Sequence, residues 1–131
     1  MKENELTEII IGEAIFVHKK FGPGLFESVY ETVLAYRLRE HGLTVTQQQG
    51  IPVFFEDIKM DVGFRADLIV NGKVLIEIKS VESLPKVAKM QVLSYLRLTN
   101  LNIGLLINFW NSRLIDGIYR VVNNYDEESE E

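Results

Sequence analysis

The stretch Phe64-Arg65-Ala66-Asp67-Leu68-Ile69-Val70-Asn71-Gly72-Lys73-Val74-Leu75-Ile76-Glu77-Ile78-Lys79 decides how this chain folds. Two β-branched, apolar runs flank Asn71-Gly72, a pair suited to the positive φ angles of a tight loop, so the spacing predicts one β-hairpin. Its register matters, because a one-residue slip turns every side chain to the other sheet face. A strict two-residue loop would pair Val70 with Lys73 and send Asp67 and Glu77 to opposite faces. A three-residue loop of Val70, Asn71 and Gly72, with Ile69 paired to Lys73, places Asp67 diagonal to Glu77 on one face, and that register is expected.

The second strand alternates, with Val74, Ile76 and Ile78 on one face and Leu75, Glu77 and Lys79 on the other. Charged strand residues are ordinarily the wet side of an edge. Here the nearly continuous apolar run points to a strand covered on both sides, where a charge needs a partner or a metal. Two adjacent carboxylates repel unless a divalent cation neutralises them, and oxygen ligands suit Mg²⁺ or Mn²⁺. Lys79, on the same face, would either steady a phosphate or help to deprotonate a nucleophile.

Working outward, Leu6, Ile9, Ile10, Ala14, Val17 and Phe21 recur at helical spacing and predict a helix from about residue 5 to 20, stopped by Gly22-Pro23-Gly24. A second helix is expected from about Leu25 to His41, with Val29, Val33, Leu34 and Leu38 inward and Gly42 at its end. Thr44 to Gln48 and Ile51 to Phe55 read as two strands ahead of the hairpin. A third helix is expected from about Lys86 to Leu98 after Pro85, with Val87, Gln91, Ser94, Tyr95 and Leu98 on one face. Ile103 to Phe109 and Ile115 to Val122 complete an order ααβββ(β)αββ, which implies an α/β (α+β) domain with a mixed sheet flanked by helices.

Length and composition agree with one compact domain over residues 1–122, since 131 residues with 47% hydrophobic content suit a single core. The net charge of −5 argues against nucleic-acid binding until its distribution is considered. Asp126, Glu127, Glu128, Glu130 and Glu131 supply five acids, leaving 14 acids against 14 bases in the rest. Residues 123–131 therefore read as an acidic, disordered tail on a near-neutral domain. Zero cysteines exclude disulfides and thiolate metal sites. No apolar run reaches the ~20 residues of a membrane span and no secretory leader is visible, so a cytoplasmic protein without membrane contact is expected.

Other polar residues have ordinary explanations beside functional ones. Glu27 falls beside Tyr30, Glu31, Leu34 and Leu38 on a helical wheel, as a solvated boundary residue or as a further acid aimed at the metal. Gln91 would make a structural hydrogen bond or orient a ligand, a water or Lys79. His18 and His41 read as ordinary helix-face residues, Trp110 and the tyrosines as packing, and Lys19, Lys20, Arg37, Arg39, Lys86, Lys89 and Arg97 as scattered surface bases.

Gly24-Leu25-Phe26-Glu27-Ser28-Val29-Tyr30 together with Arg65-Ala66-Asp67 and Glu77-Ile78-Lys79 resembles the GxxExxY proteins of the PD-(D/E)XK nuclease superfamily. The similarity runs from about Ile9 to Val122 and includes Gln91-Val92-Leu93-Ser94-Tyr95-Leu96 and Gly104-Leu105-Leu106-Ile107-Asn108-Phe109. The resemblance implies a restriction-endonuclease-like fold and Mg²⁺-dependent hydrolysis of DNA or RNA. Carried over, Asp67, Glu77 and the Ile78 carbonyl would bind metal, Glu27 would complete the site, Lys79 would assist hydrolysis, and Gln91 and Tyr30 would support it. Many relatives carry a histidine three residues before that glutamine, where this chain has Ala88.

Fold alone does not decide catalysis, and the readings separate by experiment. A nuclease with a nucleic-acid substrate is the leading expectation. A non-catalytic metal- or nucleic-acid-binding module acting with a protein partner or a second copy of the chain would bind metal without cutting. A structural interaction protein would not bind it at all.

Overall fold

A computed structural model describes residues 1–124; of the expected acidic tail, residues 123–131, Asn123 bonds to Asn102 and Leu101, and the part from residue 125 onward lies outside the described residues. Two helices open the chain. In α1 (Glu3–Phe21), Leu6, Ile10, Ala14 and Val17 form the buried stripe. Gly22 ends it at φ 69°, a left-handed angle that costs glycine little. The second helix, α2 (Glu27–Glu40), starts two residues later than the periodicity suggested and buries Tyr30, Glu31, Leu34, Ala35 and Leu38. Val29 and Val33 are only half-buried. A two-pronged ion pair from Arg37 to Glu13, at 2.8 and 3.0 Å, joins α1 to α2.

The sheet has five strands in the order β1-β2-β3-β4-β5: β1 (Val45–Phe55), β2 (Ile58–Val70), β3 (Val74–Lys79), β4 (Ile103–Asn108) and β5 (Ile118–Val122). The central pair β3 and β4 runs parallel, joined by α3 (Ala88–Thr99), and the other neighbours are antiparallel. The mixed sheet flanked by helices is the expected architecture. The two strands expected over residues 44–55 are one, however, carried through Gln48 at φ 51°. Its partner β2 begins at Ile58, so the pair forms an arm turning at Glu56 and Asp57. Leu114–Gly117 is a 3₁₀ turn, which shortens the last expected strand.

The decisive hairpin has a three-residue loop, but shifted by one residue. Val70 pairs with Val74 and Ile69 with Leu75, leaving Asn71, Gly72 and Lys73 between them. Asn71 and Gly72 take φ 52° and 62°, and the Lys73 N–H donates to the Val70 carbonyl at 2.9 Å. The loop therefore begins one residue later than expected, at Asn71, which moves the register by two residues from the expected Ile69–Lys73 pairing. An even shift preserves which face each side chain takes.

Both faces of β3 and β4 are covered. Val74, Ile76, Ile78, Leu105 and Ile107 pack with α1 and α2, while Leu75 and Leu106 pack with Ala88, Val92 and Leu96 of α3. The α3 seam is therefore not the expected one: Val87 and Leu98 are 53% and 45% exposed. Gly104 explains the choice, since a Cβ there would lie 2.8 Å from Val92 Cγ1 and 3.3 Å from Leu96 Cδ2. Without that atom, α3 settles close onto the sheet.

Candidate active site

At the carboxyl end of β3 the β2–β3 ladder stops. Its last pair is Leu68 with Ile76, and one residue on the Asp67 side chain takes the place of backbone. Asp67 Oδ2 accepts the Ile78 N–H at 2.7 Å, and the Asp67 N–H donates to Glu77 Oε1 at 3.3 Å. Ala66 and Ile69 share one core, three residues apart where strict alternation would separate them, so β2 changes phase at Asp67. The expected diagonal placement on one face is thus corrected: the Asp67 carboxylate lies between the strands, against Glu77. Because a strand residue's N–H and C=O point to the same side, the Ile78 carbonyl faces the Asp67 side. The Lys79 carbonyl faces β4, where it accepts the Phe109 N–H at 2.8 Å.

Glu77 is 8% exposed. Burial first, then the adjacent Asp67 charge, pushes its carboxyl from 4.5 up to about 8, against the Asp67 N–H and the Lys79 ammonium, which favour the charged form. Burial also raises the Tyr95 hydroxyl, with Glu77 and Asp67 as its nearby negative charges. Half-buried Lys79 lines a small cleft with Glu77, Gln91 and Tyr95, and its Nζ has no hydrogen-bond partner among the described residues. Gln91, expected on the core face, is exposed and reaches the site only at that cleft.

Gln48 is a site neighbour that the sequence did not reveal. Its left-handed backbone aims the side-chain amide at two carboxylates, donating to Glu31 Oε1 at 2.7 Å and to Asp67 Oδ1 at 3.0 Å. The Gln47 amide donates to the other oxygen of buried Glu31 at 3.1 Å. Arg65 Nη1 donates to the Gln48 carbonyl at 3.0 Å. No spacing rule exposes this, since it joins α2, β1 and β2; the only hint was Glu31 on the inward side of the helical wheel.

The two remaining expected site residues are Glu27 and Tyr30. Glu27 is exposed, as its reading as a solvated boundary residue allowed, and its Oε2 accepts the Ser80 N–H at 3.0 Å, just past the end of β3. Tyr30 lies away from the carboxylates and latches the loop before α2. Its hydroxyl donates to the Gly22 carbonyl and accepts the Leu25 N–H at 3.1 Å, while its ring stacks on Phe109 at 4.3 Å. Ser80 Oγ then donates to the Leu25 carbonyl at 2.8 Å. Gly24, at φ 103°, permits the bend that brings this loop back. Ser80 and Asn108, whose amide both donates to and accepts from Val81, were also missed.

The donor set suits a hard divalent cation: carboxylates and a backbone carbonyl, with no sulfur or imidazole beside them. Among the described residues no three His, Cys, Asp or Glu side chains converge tightly enough to hold a metal. Asp67 and Glu77 are the adjoining pair, with Glu27 one hydrogen bond further out. A buried carboxylate raised by its neighbour's charge is what a cation would relieve.

The chain belongs to the PD-(D/E)XK nuclease superfamily, which it matches over residues 4–121. Among solved structures, the crystal structure of SSO0001 is similar over 94% of this chain and 68% of its own, with a TM-score of 0.47 and 19% identity. No curated protein matches the chain. Among the described residues no helix is long and apolar enough to cross a membrane.

Proposed function

We propose that the protein is a Mg²⁺- or Mn²⁺-dependent nuclease of the GxxExxY type that hydrolyses phosphodiester bonds in DNA or RNA. Superfamily membership supports the class. The observation that carries the reading is the buried Glu77 carboxylate set against Asp67, with the Ile78 carbonyl turned toward the same side. Asp67, Glu77 and the Ile78 carbonyl would hold the cation, and Glu27 would reach it through water. When bound, the cation would lower the pKa of an attacking water and offset charge on the phosphate.

This chain's own residues supply the rest. Lys79 donates to a phosphate oxygen or to the attacking water from the cleft beside Glu77. The water oxygen bonds to phosphorus, the P–O bond to the leaving sugar oxygen breaks, and a proton ends on that oxygen. Gln48 and the Ile78 N–H fix the Asp67 carboxylate, and the Tyr30 latch holds the start of α2 so that Glu27 meets the end of β3. Gln91 orients groups entering the cleft.

The test is Mg²⁺- and Mn²⁺-dependent cleavage of single- and double-stranded DNA and RNA by the protein and by Glu77→Gln and Asp67→Asn. Cleavage by the native chain that disappears in both variants is expected. Undiminished cleavage by Glu77→Gln overturns the reading, and calorimetric metal binding without cleavage of any substrate replaces it with the non-catalytic module.

A further inference from the structure

On the other face of the sheet, the last turns of α1 and the segment after β4 border an open-sided cavity of about 320 Å³ lined by Ile15, His18, Lys19, Ser112, Arg113, Leu114 and Ile115. His18 is not the ordinary helix-face residue its sequence position suggested. It is 6% exposed, its ring tilts against Phe109 at 6.2 Å, and its Nε2 is buried without a hydrogen-bond partner among the described residues. A buried polar atom left unpaired costs stability, and such a group in a native fold calls for a ligand or water. Lys19 and Arg113 are exposed at the cavity and neither is within ion-pair distance of a described carboxylate. Ser112 adds a hydroxyl.

We propose that this cavity is a phosphate-binding subsite, with His18, Lys19, Arg113 and Ser112 donating to the phosphate oxygens. Four donors of positive or neutral character, with no acid among the lining residues, favour an oxyanion. Arginine and lysine both suit phosphate, which offers enough acceptors to engage the whole set. Phe109 links the cavity to the candidate active site from within the core: its N–H donates to the Lys79 carbonyl, and its ring contacts both Tyr30 and His18. As with Lys79 and Ser80, the segment carrying Ser112 and Arg113 leaves the carboxyl edge of the parallel pair, the edge at which open α/β sheets take ligands. The phosphate is either one carried by a nucleic-acid strand or a free one. The strand source rests on the nuclease reading, and the phosphate chemistry does not.

The experiment uses the full chain without added metal and follows the His18 ring nitrogens by ¹⁵N NMR, titrating inorganic phosphate and then 5′-phosphorylated and 5′-hydroxyl oligonucleotides. Saturable movement of the His18 signals is expected, weakened about tenfold or more in Lys19→Ala/Arg113→Ala, since a charge-assisted bond carries roughly that factor. An unchanged melting temperature in that surface variant separates the effect from folding. Movement with oligonucleotides identifies the strand source, and movement with inorganic phosphate alone identifies a free ligand. No His18 movement with any of them, or equal affinity in the double variant, overturns the proposal. Because metal is absent throughout, failure of metal binding at Asp67 and Glu77 leaves this result readable.

Discussion

The two faces of the sheet are built to different standards of closure. On the α1–α2 face, Leu6, Ile10, Tyr30, Leu34, Leu38, Ile76, Ile78 and Phe109 are all at most 1% exposed. On the other face the single helix α3 seals a smaller group around Leu75, Val92, Leu96 and Leu106, and Phe64, Leu84, Leu101 and Tyr119 at its margin are only partly buried. Glu77 and Lys79 emerge on this thinner side. A sheet covered by two helices on one face and one on the other is rigid where it needs support and open where chemistry needs access.

Truncating the closed face should have the largest effect. Leu34→Ala is expected to cost about 2–5 kcal/mol in chemical denaturation, toward the upper end because its neighbours cannot collapse inward. Val92→Ala under α3 should cost less; equal losses would show that the two faces are equally closed. Next, Glu77→Gln should lower metal-dependent cleavage at least about a hundredfold, as loss of a ligand exceeds the 10–100-fold cost of losing a supporting group.

The same residue gives the open face a pH signature. With its folded carboxyl near 8 and an unfolded value near 4.5, Glu77 keeps a proton in the folded state that the unfolded chain has released. Its contribution to stability is therefore full below about 4.5 and is lost as pH rises through about 8. Calorimetric melting of metal-free protein should decline across that window and flatten in Glu77→Gln; parallel pH profiles would refute it. Gln48→Ala should weaken metal affinity by about tenfold, read by calorimetry, with cleavage falling in step. The smallest effect is expected from Tyr30→Phe, which forfeits the Gly22 and Leu25 bonds at about 1–2 kcal/mol.

The parts of this fold that were legible in sequence are those set by local pattern. Strand β3 announces itself because its alternation and apolar content are uninterrupted, and Asn71-Gly72 marks its hairpin. The register was one loop position off because a three-residue loop holding Asn71 and Gly72 can begin at Val70 or at Asn71, and the sequence pattern favours neither. Gln49-Gly50 read as the break between two strands, whereas the chain runs on as one strand with Gln48 held at a left-handed angle by tertiary hydrogen bonds. The early part of β2 was hidden in a polar-looking arm, although Ile58, Met60 and Val62 alternate in the sequence. On α3 the bulkiest apolar residues drew attention, but the seam runs through small Ala88 because Gly104 lets the helix approach. The D-x9-E-x-K spacing brought Asp67 and Glu77 to notice, while Gln48, Glu31 and Ser80 became neighbours only through packing of distant segments.

Strand β1 contains no charged residue from Val45 to Phe55, and it is an edge of the sheet. Edges of that kind invite pairing with another chain, and charge is the common deterrent. Here the deterrent is geometric: Gln48 turns left-handed, Pro52 withholds an N–H, and the register breaks between Pro52 and Val53. The bend that aims an amide at Asp67 therefore also makes the strand a poor template, so a straightened β1 would cost the protein its resistance to aggregation along with its site.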